Sequence, residues 1–227
     1  MNELEILYRD KLFVACVKPA GVLSQESERE INMPALLAGQ LSAPYVAAVH
    51  RLDRPVGGVM LYSLNPAFTG KLTAMLSDKA LCRKEYLAVL HGTPVKSEGV
   101  LTDLLYHDAR INKTFVADRM RKGVREASLF YRTLASDGEK SLVRICLYTG
   151  RTHQIRVQFS SRGLPLVGDG RYGGGKGETA LFSYRLSFRH PVSVKDMTFE
   201  RLPKGEAFCQ FEIAHILEKD DLQNETI

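Results

Sequence analysis

The chain has 227 residues, enough to bury a full core without disulfide staples, and reads as one domain over residues 1–227. Its core is expected at about 12–213, with a polar, fraying tail after about 218. The net charge of +5 and a pI near 9.0 permit a polyanionic partner without requiring one. Cys16, Cys82, Cys146 and Cys209 are scattered singly, which argues against a Cys-x-x-Cys metal or redox pair and for free thiols. No apolar run approaches the roughly 18–20 residues of a membrane span, and Met1–Glu5 carries no basic signal-peptide start. The default location is therefore the cytoplasm, with no membrane contact; a monomer is expected, with no metal and no cofactor.

In chain order, Leu4–Tyr8 and Leu12–Val17 read as strands around the charged turn Arg9-Asp10-Lys11, ended by Lys18-Pro19-Ala20-Gly21. Pro34–Leu41 reads as a short helix. The apolar run Tyr45–Val49 leads into His50-Arg51-Leu52-Asp53, and Gly57–Leu64 is a strand. Asn65-Pro66 is a helix start, with Asn at the N-cap and Pro in the first turn, and apolar residues at helical spacing predict a helix over Pro66–Ser77.

Strands are expected at Lys84–Leu90, Gly99–Leu105, Thr114–Ala117, Ala127–Leu134 and Ser141–Tyr148. Ala127, Leu129, Tyr131 and Thr133 mark one face of the fourth. Thr152 is a candidate N-cap for a helix over His153–Arg162, with Gly163 just past its end. Ala180–Phe188, Thr198–Leu202 and Phe208–Ile213 complete the strands. The class is α+β, a mixed, largely antiparallel sheet flanked by helices.

Three clusters can carry chemistry. In His50-Arg51-Leu52-Asp53-Arg54 one carboxylate lies between two cations, which favour its ionised form. An ionised carboxylate can be a nucleophile, a base or a metal ligand, but arginine neighbours and the absence of a second acid oppose metal binding. A surface ion-pair cluster at a turn is the plain alternative. In Thr149–Arg156, His153 and Arg156 are three apart and share a helix face, where an arginine can grip a carboxylate or phosphate. A solvated basic face is the alternative there. Tyr86, in Arg83-Lys84-Glu85-Tyr86-Leu87, is either a packing residue or a ring that stacks on a nucleobase.

The order and spacing of these clusters resemble the RluA-like family of pseudouridine synthases, which modify uridines in ribosomal RNA and tRNA. The resemblance runs from about Val14 to His190. It rests on Lys18-Pro19-Ala20-Gly21, His50-Arg51-Leu52-Asp53-Arg54, Lys84-Glu85-Tyr86, Gly150-Arg151-Thr152-His153-Gln154-Ile155-Arg156, Gly168-Asp169 with Tyr172-Gly173, and Tyr184-Arg185-Leu186. The family's fold is a mixed α+β domain around a bent sheet.

The resemblance implies that Asp53 is the catalytic nucleophile, Tyr86 stacks on the target base and Arg156 pairs with the catalytic carboxylate. Arg51 would fill the space left by the flipped nucleotide. RNA would be met by Arg51, His50, Arg54, Arg151, His153 and Gln154. The chain departs from the family pattern at Val56-Gly57-Gly58, where Thr-Ser-Gly is usual. Loss of those hydroxyls predicts a looser nucleophile loop. No S4-like RNA-binding module is expected, because the first motif begins at Lys18.

The implied reaction is an isomerisation, so it needs no metal, redox cofactor or energy source. Asp53 could act at C1′, at C6 of the ring, or by drawing a proton from the ribose, and the residues leave these open. The partner would be tRNA or ribosomal RNA, with phosphates met also by Arg110, Lys113 and the basic turn Arg119–Arg125. Two other readings compete. One is a catalytically weak or inactive relative that only binds RNA. The other is a nucleoside or glycoside hydrolase, which typically needs paired carboxylates where this chain offers one.

Overall fold

The structure, a computed structural model, describes residues 3–224. In chain order the elements are β1 (Ile6–Arg9), β2 (Phe13–Lys18), α1 (Met33–Leu41), β3 (Ala47–Ala48), β4 (Gly57–Ser63), α2 (Pro66–Ser77), β5 (Cys82–His91) and β6 (Glu98–Asp108). There follow β7 (Lys113–Ala117), β8 (Val124–Ser136), β9 (Lys140–Leu147), α3 (Gln154–Ser160), a 3-10 turn (Gly170–Tyr172), β10 (Leu181–Arg189), β11 (Asp196–Glu200), α4 (Glu206–Cys209) and α5 (Ile213–Asn224). The architecture is α+β with mixed strand pairing, as expected: β4 and β10 run parallel, and the other strand pairs described below are antiparallel. The chain divides into two compact units. The first is Met1–Lys84 with Phe182–Arg201, and the second is Glu85–Leu181 with Leu202–Ile227.

The first unit is organised on β4, whose seven residues are all buried. One edge pairs with β2 along its whole length, from Phe13 opposite Ser63 to Lys18 opposite Gly58. The other is shared by β3, opposite Tyr62 and Ser63, and by β10, opposite Gly57 and Gly58. β1 and β11 extend the pairing beyond β2 and β10. Asp10 closes the β1–β2 turn, its Oδ1 accepting from the amides of Leu12 (2.7 Å) and Phe13 (2.9 Å). α2 begins where the sequence says. The Asn65 side chain accepts from the Ala67 amide, Pro66 follows, and Leu72, Met75 and Leu76 turn inward against Phe13, Leu61, Leu186 and Phe188.

The second unit is antiparallel, in the order β5-β9-β8-β6-β7. The alternation in β8 is obeyed: Ala127, Leu129 and Tyr131 are buried, and Ala127 joins Leu105, Val157 of α3 and Tyr172 in a small core.

Two C-terminal expectations are corrected. Phe208–Ile213 is not a strand, because Glu206–Cys209 forms the short helix α4 and α5 starts at Ile213. The polar stretch after 218 does not fray at its start, since α5 runs on to Asn224. The reason is electrostatic. Asp220 reaches Arg132 of β8 at 3.0 Å and Arg144 of β9 at 2.6 Å, with the Asp220 side chain only 9% exposed. The end of the tail, residues 225–227, lies outside the described residues.

Cys16 and Cys82 are buried free thiols, and burial pushes Cys16 up to about 12. Among the described residues no helix is long and apolar enough to cross a membrane, and no group of three or more metal-binding side chains is assembled.

Removing one member of a buried ion pair leaves the other without its compensation, at about 3 kcal/mol or more. Asp220→Ala is therefore expected to lower the free energy of unfolding by about 3 kcal/mol in urea titrations. A loss below about 0.5 kcal/mol would mean that α5 is held by its apolar contacts alone.

Candidate active site

Asp53 is half-buried on the loop between β3 and β4, and the segment after β2 holds that loop from one side. Ser24 clasps Leu52 twice: its hydroxyl donates to the Leu52 carbonyl (2.7 Å) and accepts from the Leu52 amide (3.1 Å). The Gly21 amide donates to the Arg54 carbonyl (2.8 Å), and Arg54 Nε donates back to the Gly21 carbonyl (3.0 Å). Lys18 is fully buried and its ammonium donates to the carbonyls of Pro19 (2.9 Å), Val22 (2.8 Å) and Arg54 (3.3 Å). Burial pushes Lys18 down to about 8, and the charge of Asp53 opposes that shift. The carboxylate thus has a third cation for company besides Arg51 and Arg54. Finally the Val56 amide donates to the Asp53 carbonyl (2.9 Å), closing a tight turn over Arg54-Pro55.

His50 braces the same loop from within. Its Nε2 accepts from the Leu61 amide at 2.9 Å, which requires a neutral ring. Burial, with Lys84 nearby, pushes its pKa down to about 3. At neutral pH His50 therefore carries no charge to offer a phosphate. Of the expected RNA-facing residues in this unit, Arg51 is exposed, while Arg54 is exposed but held by Glu30 (2.5 Å) as well as Gly21.

Val56-Gly57-Gly58 does not leave the loop without restraint. Val56 is 2% exposed, inside the core. A Cβ at Gly57 would sit 3.2 Å from the Lys18 carbonyl oxygen and 3.2 Å from the Phe182 ring. At Gly58, with φ +129°, a Cβ would fall 2.3 Å from the Ser183 carbonyl oxygen, closer than any side chain tolerates. The tethers from Lys18, Gly21 and Ser24 act where the missing hydroxyls were expected to act.

In the second unit Arg156, on α3, is 3% exposed and meets the buried Asp169 bidentately, Nε to Oδ2 at 2.6 Å and Nη2 to Oδ1 at 2.7 Å. That fork uses one edge of the guanidinium and fixes its plane. The plane lies against the Tyr172 ring, 5.0 Å from its centroid. The Tyr172 hydroxyl is itself pinned, accepting from the Thr114 amide of β7 (2.8 Å) and meeting His153 Nδ1 (2.8 Å). Thr114 Oγ1 in turn donates to the Thr152 carbonyl (2.8 Å).

The helix start is corrected. Thr152 is not its N-cap. His153 occupies that position in a left-handed conformation, φ 54°, with no side-chain cap bond, and α3 covers Gln154–Ser160. The far end also falls short of the expectation: α3 stops at Ser160 with Ser161 as its C-cap, and Gly163, at φ +74°, lies in the turn beyond it. His153 does not share a solvated face with Arg156; both are buried. Gln154, 3% exposed, accepts from the Arg151 amide (3.0 Å) and Thr149 Oγ1 (2.8 Å) and donates to the Ser128 carbonyl (3.1 Å), so it braces its own loop. Arg151 is exposed, with Nε on the Glu126 carbonyl (2.9 Å). Tyr86 lies on β5 opposite Ile145 and is 6% exposed.

Asp53, Arg51, His50 and Arg54 thus belong to the first unit, and Arg156, Tyr86, Arg151, His153 and Gln154 to the second. Sequence reasoning gave no role to Ser24, Asp169, Tyr172 or the ammonium of Lys18. Three of these lie in or beside the quoted motifs, but their partners are 13 to 58 residues away or are backbone atoms.

The family model described as RNA pseudouridylate synthase matches residues 12–161. The chain is 34% identical over 223 residues to an uncharacterised RNA pseudouridine synthase of Bacillus subtilis, YjbO, covering 89% of this chain and 76% of that one. It is 32% identical over 226 residues to tRNA pseudouridine synthase C of Vibrio parahaemolyticus, covering 87% and 89%. Among solved structures, Human RNA Pseudouridylate Synthase Domain Containing 4 shares the fold, with a TM-score of 0.73 at 21% identity over 88% of this chain and 89% of that one.

The neutral His50 makes stability depend on acid. Between its folded pKa of about 3 and the usual value of 6.5, the unfolded chain holds a proton that the folded chain lacks. Its contribution is therefore complete above pH 6.5 and is lost as pH falls toward 3. Urea unfolding at several pH values is expected to show a His50→Gln variant with a shallower decline over this window, by up to about 1.4 kcal/mol per pH unit. Equal slopes would show that the ring is not held neutral.

Proposed function

This chain belongs to the RNA pseudouridylate synthase family, and we propose that Asp53 is its nucleophile and a uridine of tRNA its target. The enzyme is an isomerase that converts uridine in RNA to pseudouridine. Substrate and product have the same atoms, so the work lies in breaking N1–C1′, turning the uracil and joining C5 to C1′. The target base must first leave its stack, at a cost of a few kcal/mol.

Each residue role rests on the motif it occupies. Arg51 takes the gap left by the extruded nucleotide and Tyr86 stacks on the base. By its motif Arg156 is the arginine that serves the catalytic carboxylate, and a carboxylate already oriented lowers the cost of the step. The observation that carries the assignment of Asp53 is its tethering: the residues on either side of it, Leu52 and Arg54, are fixed by Ser24, Gly21 and Lys18. A reacting group gains most when the backbone beneath it is already placed.

tRNA is favoured over ribosomal RNA by the Vibrio parahaemolyticus relative, whose name states that substrate and whose length this chain nearly spans. Residues 1–227 act as one catalytic domain in this reading, because the family match over 12–161 takes in parts of both units. In this reading the chain works as a cytoplasmic monomer. The binding-only alternative is not favoured, because the feature that prompted it, Val56-Gly57, is packed and tethered.

Pseudouridine mapping by carbodiimide stops, in tRNA and ribosomal RNA from cells with and without the gene, tests the substrate. Loss of one or a few tRNA sites is expected, and loss confined to ribosomal RNA would overturn tRNA. With the purified enzyme, Asp53→Asn is expected to abolish isomerisation while RNA affinity stays within about threefold, a change of under 1 kcal/mol. Turnover like that of the wild type would remove Asp53 from the mechanism.

A further inference from the structure

The ribbon formed by the end of β6, β7 and the turn into β8 carries features that the reaction does not explain. β7 ends the strand order of its sheet. An exposed edge strand is ordinarily blunted by charge or kept polar, because it invites pairing. Here it shows Phe115 at 41% exposure and Val116 at 42%, and the following turn shows Met120 at 60%. Phe115 stands directly opposite Tyr106 across the ladder, so two aromatic rings share one face. Each has a cation over it: Lys113 Nζ is 5.7 Å from the Phe115 ring and the Arg121 guanidinium 5.9 Å from the Tyr106 ring.

The charge of the ribbon is one-sided. Between Tyr106 and Glu126 there are six basic residues, Arg110, Lys113, Arg119, Arg121, Lys122 and Arg125, against three acids, Asp108, Asp118 and Glu126. One of those acids, Asp108, is bound to Arg110 at 2.8 Å. The positive excess therefore lies toward the turn, where Arg119, Arg121 and Lys122 are all exposed. Cations interleaved with an exposed ring, Phe115, and a half-buried one, Tyr106, suit a single-stranded nucleic acid, whose phosphates meet the first and whose bases stack on the exposed ring.

The ribbon is also fastened to the loop and helix that carry Arg156. Thr114, adjacent to Phe115, is bonded through its amide to Tyr172 and through its hydroxyl to the Thr152 carbonyl, and the Tyr172 ring lies against Arg156. An RNA strand lying on β7 would be held by an element with a fixed relation to that arginine.

We propose that the β6–β7–β8 ribbon is a docking surface for an unpaired stretch of the RNA substrate, with Phe115 as a stacking platform and Arg119, Arg121 and Lys122 as phosphate contacts. This rests on the RNA-modifying reading above and assigns part of its substrate binding.

The test compares Kd and KM for an in vitro-transcribed tRNA pool, across a range of salt. The proteins are wild type, Phe115→Ser, the triple variant Arg119→Gln/Arg121→Gln/Lys122→Gln, and a control, Lys96→Gln/Lys204→Gln. The two contact types separate by salt. The triple variant is expected to weaken binding and to flatten the slope of log Kd against log salt by about 2, at about 0.7 per phosphate contact. Phe115→Ser is expected to weaken binding about tenfold with the slope unchanged. In both, the fall in kcat/KM is carried by KM, and the control matches wild type. The substituted side chains are exposed, and an unchanged melting temperature checks that the fold is retained.

Affinities like wild type in both ribbon variants, with pseudouridine formed normally, would overturn the surface and leave the enzyme reading intact. Weakened binding in the ribbon variants from a wild type that forms no pseudouridine would support the surface and overturn the enzyme reading. A wild-type dimer, seen by sedimentation and dissolved by Phe115→Ser, would identify a second copy as the occupant and overturn the proposal.

Discussion

Between Gly58 and Ser183 two backbones run closer than any side chain permits, because a Cβ on Gly58 would overlap the Ser183 peptide. This contact is where β4 and β10, brought together from distant parts of the sequence, pair in parallel. It fixes where β4 begins, and the start of β4 fixes where the preceding loop must deliver its last residues. Asp53 lies four residues before that strand, so its backbone is placed from two directions. On one side is the β4 pairing, and on the other the clasp from Lys18, Gly21 and Ser24. A glycine is required there for a reason opposite to flexibility: it lets the strands close and so stiffens what precedes them.

The second unit solves a different difficulty, which is how to keep an arginine inside a protein. Arg156 is buried with Asp169, so the two charges cancel over a short distance, and a bidentate fork replaces the lost hydration on one edge. The Tyr172 ring covers a face of the guanidinium, and the Tyr172 hydroxyl borrows its own hydrogen bonds from β7 and His153. Arg156, Asp169 and Tyr172 are thereby ordered together, and disturbing one changes the surroundings of all three.

Local signals were legible in the sequence and long-range ones were not. Asn65-Pro66 gave the start of α2 to the residue, because cap and first turn are set by adjacent positions. The period of two in β8 is kept, with Ala127, Leu129 and Tyr131 on the buried face. Gly163 lies in the turn after α3, which stops at Ser160, short of the expected Arg162, and its start misled as well: Thr152 has the chemistry of a cap, but its carbonyl is taken by Thr114 and the chain turns left-handed at His153 instead. Phe208–Ile213 had a strand's composition, but it became part of α4 and the approach to α5. At the site, Asp53 and Arg156 stood out through their flanking motifs. Ser24 left no trace, since a serine whose partner lies 28 residues on looks like any other serine. Gln154 and His153 looked like surface groups because polarity was visible and burial was not.

The grip on the Asp53 loop is made largely of main-chain atoms. Lys18 reaches the carbonyls of Pro19, Val22 and Arg54, and Ser24 holds both peptide groups of Leu52. A carbonyl oxygen is the same whatever side chain follows it, so these contacts demand a particular path of the chain and place little demand on residue type at positions 19, 22, 52 and 54. Such a site is tolerant of drift: the residues along the loop can be exchanged while the loop keeps its shape. That tolerance accounts in physical terms for a chain sharing about a third of its residues with YjbO, and carrying Val56-Gly57 where its family usually has hydroxyls, yet presenting its carboxylate from a fully tethered turn.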